Sequence, residues 1–238
     1  MRSFIPLNQV LKECKNEQFG IEYFSLDENT VKRLKLRNSF DPQGYYKYIK
    51  ANHSYTKLVE YLPTEKFTWM SDTPMELFTN QQFLDKANGD VLIFGLGMGL
   101  IIAPLANDPA IKSITVIEQN KNVIDLIKPF YNHPKITILQ GDAYNYEFSK
   151  EIMFDTIYFD IWPSRCMDNY KDMKILHKKY RKHLNKNNLN KYMSSWLYDW
   201  CKQETYKENK YNKLFQPTKY FSSDIINQLQ TLGGDIKV

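Results

Sequence analysis

Cysteine is scarce and scattered in this sequence. Cys14, Cys166 and Cys201 are an odd number at wide spacing with no Cys-x-x-Cys pair, which argues against a disulfide scaffold and a zinc knuckle and fits free thiols in a reducing compartment. Long apolar runs are missing too. The longest, Val91 to Ala106, is broken by three glycines and a proline and falls short of the ~20 residues a membrane-spanning helix requires. At the N-terminus Arg2 is followed by Asn8, Gln9 and Lys12 before an apolar signal core can form, so the expected location is cytoplasmic, without membrane association. Arginine is the other shortage, 5 residues against 27 lysines. Readers of nucleic acid rely on Arg for bidentate contacts, so the net charge of +5 reads mainly as a lysine-rich solvated surface. The four histidines offer no helical metal pair, since His177 and His183 stand six apart and His53 and His133 have no evident partners. No metal is expected.

What is present is a chain long enough to bury a core, 238 residues with 42% hydrophobic side chains, divided by its patterning into two parts. Residues 1–78 lack a sustained helical period and carry alternating stretches at Tyr55 to Leu62 and Phe67 to Met70, which predict a small strand-rich appendage. Asp41-Pro42-Gln43-Gly44 is a turn signal within it, and Ser71-Asp72-Thr73-Pro74 opens a predicted helix over Pro74 to Lys86, with the proline at its first turn. Residues 79–238 read differently. Val91–Phe94, Ile114–Glu118, Ile136–Leu139 and Phe154–Asp160 are short apolar runs, as expected of parallel strands buried on both faces. Helices are predicted from near Met98 and over Asn122 to Lys128, and the alternation predicts an α/β fold, a Rossmann-like doubly wound sheet. Farther on, Asp172 to Lys186 has a helical period, and residues 171–191 carry eight Lys or Arg against one acid. A basic helix face follows, a solvated surface or a place for nucleic acid. Trp196, Trp200 and the pattern Ile225, Ile226, Leu229 and Leu232 suggest a tail packed back on the domain.

The polar residues that end the apolar runs carry the chemistry, because doubly wound sheets bind ligands beyond the carboxyl ends of their strands. The first run ends in Gly95-Leu96-Gly97-Met98-Gly99, where glycine lets backbone approach a ligand and free amides offer donors. A dinucleotide fingerprint needs its third glycine one residue later, at Leu100, which disfavours a nicotinamide cofactor. Glu118 ends the second run, twenty-three residues after Gly95, where a carboxylate can accept from both hydroxyls of a ribose. Gly141-Asp142-Ala143 follows the third run, and Asp142 is either an acceptor for an adenine amine or a helix cap. Asp160 ends the fourth, with Ile161-Trp162-Pro163 behind it. Trp162 is either a pocket wall or core. Asp72 reads as a helix cap or as an acceptor contact. Cys166 has no histidine near in sequence to activate it.

In this order and at these places the four features from Val91 to Pro163 resemble the S-adenosyl-L-methionine-binding core of class I methyltransferases, most closely the spermidine-synthase-like branch. Met70-Ser71-Asp72-Thr73-Pro74, Asp160-Ile161-Trp162-Pro163, Asp168-Asn169, Leu176 to Tyr180 and Ser195-Trp196 are further similar to methyltransferase-like proteins common in bacteriophage genomes. The resemblance implies that Gly95, Gly97 and Gly99 cradle the methionine part of the cofactor, that Glu118 with Gln119 holds the ribose, and that Asp142 and Ala143 meet the adenine. It also implies that Asp160 faces both the sulfonium and an unidentified methyl acceptor as the catalytic residue, and that Trp162 and Asp72 lie on the acceptor side.

Departures from the pattern keep other readings open. Phe94 stands where methyltransferases often carry an acid, which leaves room for a non-catalytic domain that retains the fold. Met98 and Pro163 stand where aminopropyltransferases carry Asp, which weakens that alternative.

Overall fold

The structure, a computed structural model, describes residues 2–38 and 45–214. The turn signal at Asp41–Gly44 and the apolar pattern from Ile225 to Leu232 lie outside the described residues.

Two sheets organise the chain. The first is antiparallel and four-stranded, in the order β1 (Cys14–Lys15), β2 (Phe19–Phe24), β3 (Tyr55–Tyr61) and β4 (Lys66–Ser71). The strand-rich appendage is therefore present. It also holds a helix that the weak period concealed, α1 (Glu28–Asn38), whose first turn is capped by Asp27 through Oδ1, accepting from the Thr30 amide at 2.8 Å. Only Val31 of its described side chains is fully buried, so almost no apolar stripe marked it in the sequence.

The second sheet has five parallel strands in the order β7 (Ile136–Gln140), β6 (Ile111–Glu118), β5 (Gly89–Phe94), β8 (Thr156–Phe159) and β9 (Tyr192–Ser195). Alternation along β5 assigns its two faces. Val91 and Ile93 enter one apolar cluster with Phe83 and Leu84 of α2 (Pro74–Lys86), α3 (Ile102–Ala106) and α4 (Lys121–Ile127). Leu92 and Phe94 enter another with Leu176 and Tyr180 of α5 (Asn169–Tyr180). Residues buried on both sides of the sheet explain the unbroken apolar runs of β5 and β8, whereas in the third run, expected to be buried on both faces, β7 lies at the sheet edge and buries only Ile138.

α2 has the expected bounds, but Thr73 rather than Asp72 is its N-cap residue. The helix expected from near Met98 is replaced by turns up to Ile101, because Gly97 and Gly99 hold positive φ, which a right-handed helix does not tolerate. The helix expected over Asp172 to Lys186 begins at Asn169 and ends at Tyr180, and a 3-10 turn over Arg181–His183 separates His183 from His177. The fourth strand begins at Thr156, while Phe154 makes an isolated bridge to Leu184.

The antiparallel sheet shares a core with the parallel one. Leu7, Leu11, Phe19, Ile21 and Leu58 belong to the same apolar cluster as Val91, Ile102 and Ile124. Side-chain amides stitch the edge, with Asn122 donating to Gln18 Oε1 at 2.7 Å and Asn16 donating to the Asn122 carbonyl at 2.8 Å. No helix among the described residues is long and apolar enough to cross a membrane.

Candidate functional site

A cavity of about 690 Å³ opens at the carboxyl ends of β5, β6, β7 and β8. The strand order reverses between β5 and β8, and such a switch point leaves a crevice where the following loops diverge. Gly95, Gly97, Glu118, Gln119, Asp142, Ala143, Asp160 and Trp162 all line this cavity. The fold thus gathers most of the residues that the sequence singles out.

The glycine loop is shaped by close contact with other protein groups. At Gly95, with φ +96°, a Cβ would overlap the backbone carbonyl of Asp160. At Gly97, with φ +48°, it would overlap the thioether of Met70 from β4. The Met98 amide donates to that sulfur at 3.2 Å. Gly99 packs under the ring of Tyr131, whose hydroxyl donates to the Met98 carbonyl at 2.7 Å, and it does not line the cavity.

Glu118 is fixed from two sides. Its Oε2 accepts from the Leu96 amide at 2.8 Å and its Oε1 from the Asn120 amide at 2.7 Å. Each oxygen keeps a second acceptor position, and burial pushes the carboxyl above its ordinary range. Gln119 is exposed at the cavity mouth. Asp142 accepts from the Tyr144 amide at 2.9 Å and from the Asn145 side chain at 2.6 Å, so it closes a turn; no helix follows for it to cap. Ala143 is buried beside it, its carbonyl accepting from the Tyr180 hydroxyl at 2.8 Å.

Asp160 is held by its backbone amide, which donates to the Phe94 carbonyl at 2.8 Å. Its carboxylate receives no hydrogen bond among the described residues, and burial pushes its pKa up to about 7. Glu76, in the first turn of α2, lines the same cavity. Burial and then the charge of Asp160 push Glu76 up to about 8. Both residues are half-buried and line the cavity. Sequence reading missed Glu76, because an acid in the first turn of a helix ordinarily complements the helix dipole and signals nothing more.

Aromatic side chains complete the wall. Trp162 lines the cavity with its indole N–H enclosed and without an acceptor among the described residues. The Trp196 indole N–H donates to Thr79 Oγ1 at 2.9 Å. Phe19, Leu58, Trp69 and Met70 bring the antiparallel sheet to the opposite side. Asp72 is not brought to this cavity: its Oδ1 accepts from the Thr56 amide at 2.7 Å, and it borders a separate cavity of about 460 Å³. On α5 the basic side chains Lys171, Lys174 and Lys178 are exposed, whereas Lys179 pairs with Glu147 at 3.1 Å. Among the described residues, no group of three or more His, Cys, Asp or Glu side chains is placed to hold a metal.

No protein-family model matches the chain, and no curated protein matches it. Solved structures do. The CcbJ methyltransferase from Streptomyces caelestis aligns at TM-score 0.38 and 16% identity, over 47% of this chain and 46% of that chain. A putative caffeoyl-CoA O-methyltransferase from Staphylococcus aureus aligns at 0.34 and 19%, over 47% and 52%. CalS10, an amino pentose methyltransferase from Micromonospora echinaspora solved with S-adenosylmethionine bound, aligns at 0.34 and 13%, over 45% and 44%. The chain spans about half the length of each of these structures.

Proposed function

We propose that this chain binds S-adenosyl-L-methionine and transfers its methyl group to an acceptor. The observation that carries the reading is the cavity at the β5/β8 switch point, which joins the glycine loop, Glu118, the Asp142–Ala143 step and Asp160. Its volume of about 690 Å³ lies in the range of small-molecule and cofactor sites.

Each group has a distinct role. The loop from Gly95 to Gly97 presents backbone to the amino-acid part of the cofactor. Glu118, already immobilised by two amides, offers its remaining acceptor positions to ribose hydroxyls. Ala143 and Tyr144 flank the base, and Asp142 sets the turn that places them. When bound, the cofactor would supply a methyl group on a positively charged sulfur that leaves as a neutral thioether. The protein then has to align the acceptor with that methyl and remove a proton where one must leave. Asp160 is the group that takes this proton, since its carboxylate is unpartnered, opens on the cavity and is poised near neutral pH.

The test is calorimetric titration with S-adenosylmethionine, S-adenosylhomocysteine, decarboxylated S-adenosylmethionine and NAD in parallel. Preference for the first two supports methyl transfer. Preference for the decarboxylated donor moves the reading to aminopropyl transfer, and binding of NAD alone or of none sinks it.

A further inference from the structure

Glu76 and Asp160 approach the cavity from different elements, one from α2 and one from the end of β8. Burial raises both carboxyls, and the charge of Asp160 raises Glu76 further. Neither carboxylate receives a hydrogen bond among the described residues, although buried acceptors are nearly always matched by donors. Among the described residues, the basic residue in the cavity wall is Lys121. It lies beyond β6, on the side of β5 away from β8, and pairs with Asp125. The two carboxylates are therefore a place for positive charge that the described residues leave unmatched.

Aromatic rings frame the same place. Trp162 follows Asp160 by two residues, with its indole N–H enclosed and unpartnered. Trp196 is pinned to Thr79, whose hydroxyl also lies 3.2 Å from the Glu76 carbonyl, so this indole stands one helical turn from Glu76. Indole faces attract cations.

We propose that Glu76 and Asp160 are the seat of an aliphatic amine acceptor, bound as its ammonium between the two carboxylates with Trp162 and Trp196 as walls. The inference rests on the methyl-transfer reading and specifies its substrate class. An ammonium has three N–H donors and one positive charge, which suits two repelling acceptors. A divalent cation needs more oxygen ligands than this pair provides, and no larger ligand group stands among the described residues. A neutral hydroxyl would leave the repulsion in place. Once seated, the ammonium passes one proton to a carboxylate, giving a carboxylic acid and a neutral amine whose lone pair is free.

The test uses the full chain saturated with S-adenosylhomocysteine. Benzylamine and n-butylamine are titrated calorimetrically against benzyl alcohol and n-butanol. The amines are expected to bind at least tenfold more tightly than the alcohols. Glu76→Gln is expected to lower amine affinity at least tenfold without changing that of the alcohols, and Asp160→Asn provides the same comparison if the first variant melts in the cold. Equal binding of amines and alcohols, no amine binding to the loaded protein, or wild-type amine affinity in a folded Glu76→Gln variant overturns the proposal. Failure of S-adenosylhomocysteine itself to bind strikes the methyl-transfer reading, and this inference with it, whereas failure of the amines alone strikes only the inference.

Discussion

The backbone of Gly95 lies against the carbonyl oxygen of Asp160 with no room for a side chain between them. The two residues end neighbouring strands at the point where the sheet reverses, so this contact sets the width of the crevice. Gly95→Ala places a Cβ on that oxygen at a backbone φ of +96°. Strain and overlap are expected to cost at least about 2 kcal/mol, read as a lowered melting temperature, together with weaker cofactor binding. A variant with wild-type melting would show that the loop and the β8 end separate freely.

Glu118→Ala is expected to weaken S-adenosylmethionine binding by roughly 1–3 kcal/mol through loss of charge-assisted hydrogen bonds. The same change frees the Leu96 and Asn120 amides. Glu118→Gln, which keeps one acceptor oxygen, should therefore fall between wild type and Ala in a calorimetric titration. Unchanged affinity in both variants removes Glu118 from the site.

Asp160→Asn is expected to spare cofactor binding and to depress turnover. The measurement is the ratio of the two losses, calorimetry against release of S-adenosylhomocysteine with an amine acceptor. Equal losses would make Asp160 a cofactor-holding or structural residue.

The carboxyl pair also predicts a pH signature. Burial raises Asp160 to about 7, and burial with the Asp160 charge raises Glu76 to about 8. Between the ordinary carboxyl range of roughly 4 and those values, the folded state holds more protons than the unfolded one. Stability from these groups therefore falls as pH rises through that window. Relative to Glu76→Gln, the wild type should lose melting temperature steadily from pH 5 to pH 8. A difference that stays constant across those melts refutes the linkage.

His177 should behave in the opposite sense. Burial, and next the charge of Arg181, lowers it to about 4, and its Nε2 lies 2.8 Å from Ser195 Oγ. Its contribution to stability is complete above the ordinary histidine value and is lost as pH falls toward 4. Its ring resonance in an NMR titration should stay flat from pH 8 to pH 5; a midpoint near 6.5 would contradict the burial.

The parts of the fold that were legible are those whose burial is two-sided. β5, β6 and β8 have buried residues on both faces, and the sequence places each within a few residues of its observed bounds. Local chemistry gave the start of α2 at Pro74. β9 was not legible, because Tyr192-Met193-Ser194-Ser195 has neither alternation nor an apolar run, and it becomes a strand by pairing with β8. α1 escaped notice because a helix on the outside of a small sheet needs little apolar surface. At the site, Glu118, Asp142 and Asp160 were found by their places after strands, a signal that belongs to the chain. Glu76 has no such signal, since only the packing of α2 brings it into the same cavity as Asp160. Gly99 shows the reverse: its pattern matches the loop, while Tyr131 claims its space.

Met70 ties β4 to the glycine loop through one sulfur, and Leu7, Phe19 and Leu58 continue the core of the parallel sheet. The antiparallel sheet is thus not a module that recombination could exchange between chains. A graft cut before α2 would leave a bare apolar flank on both halves and an unfilled notch above Gly97. Substitutions at Phe19 or Trp69, which line the cavity from that sheet, would reshape its wall without moving the sheet itself.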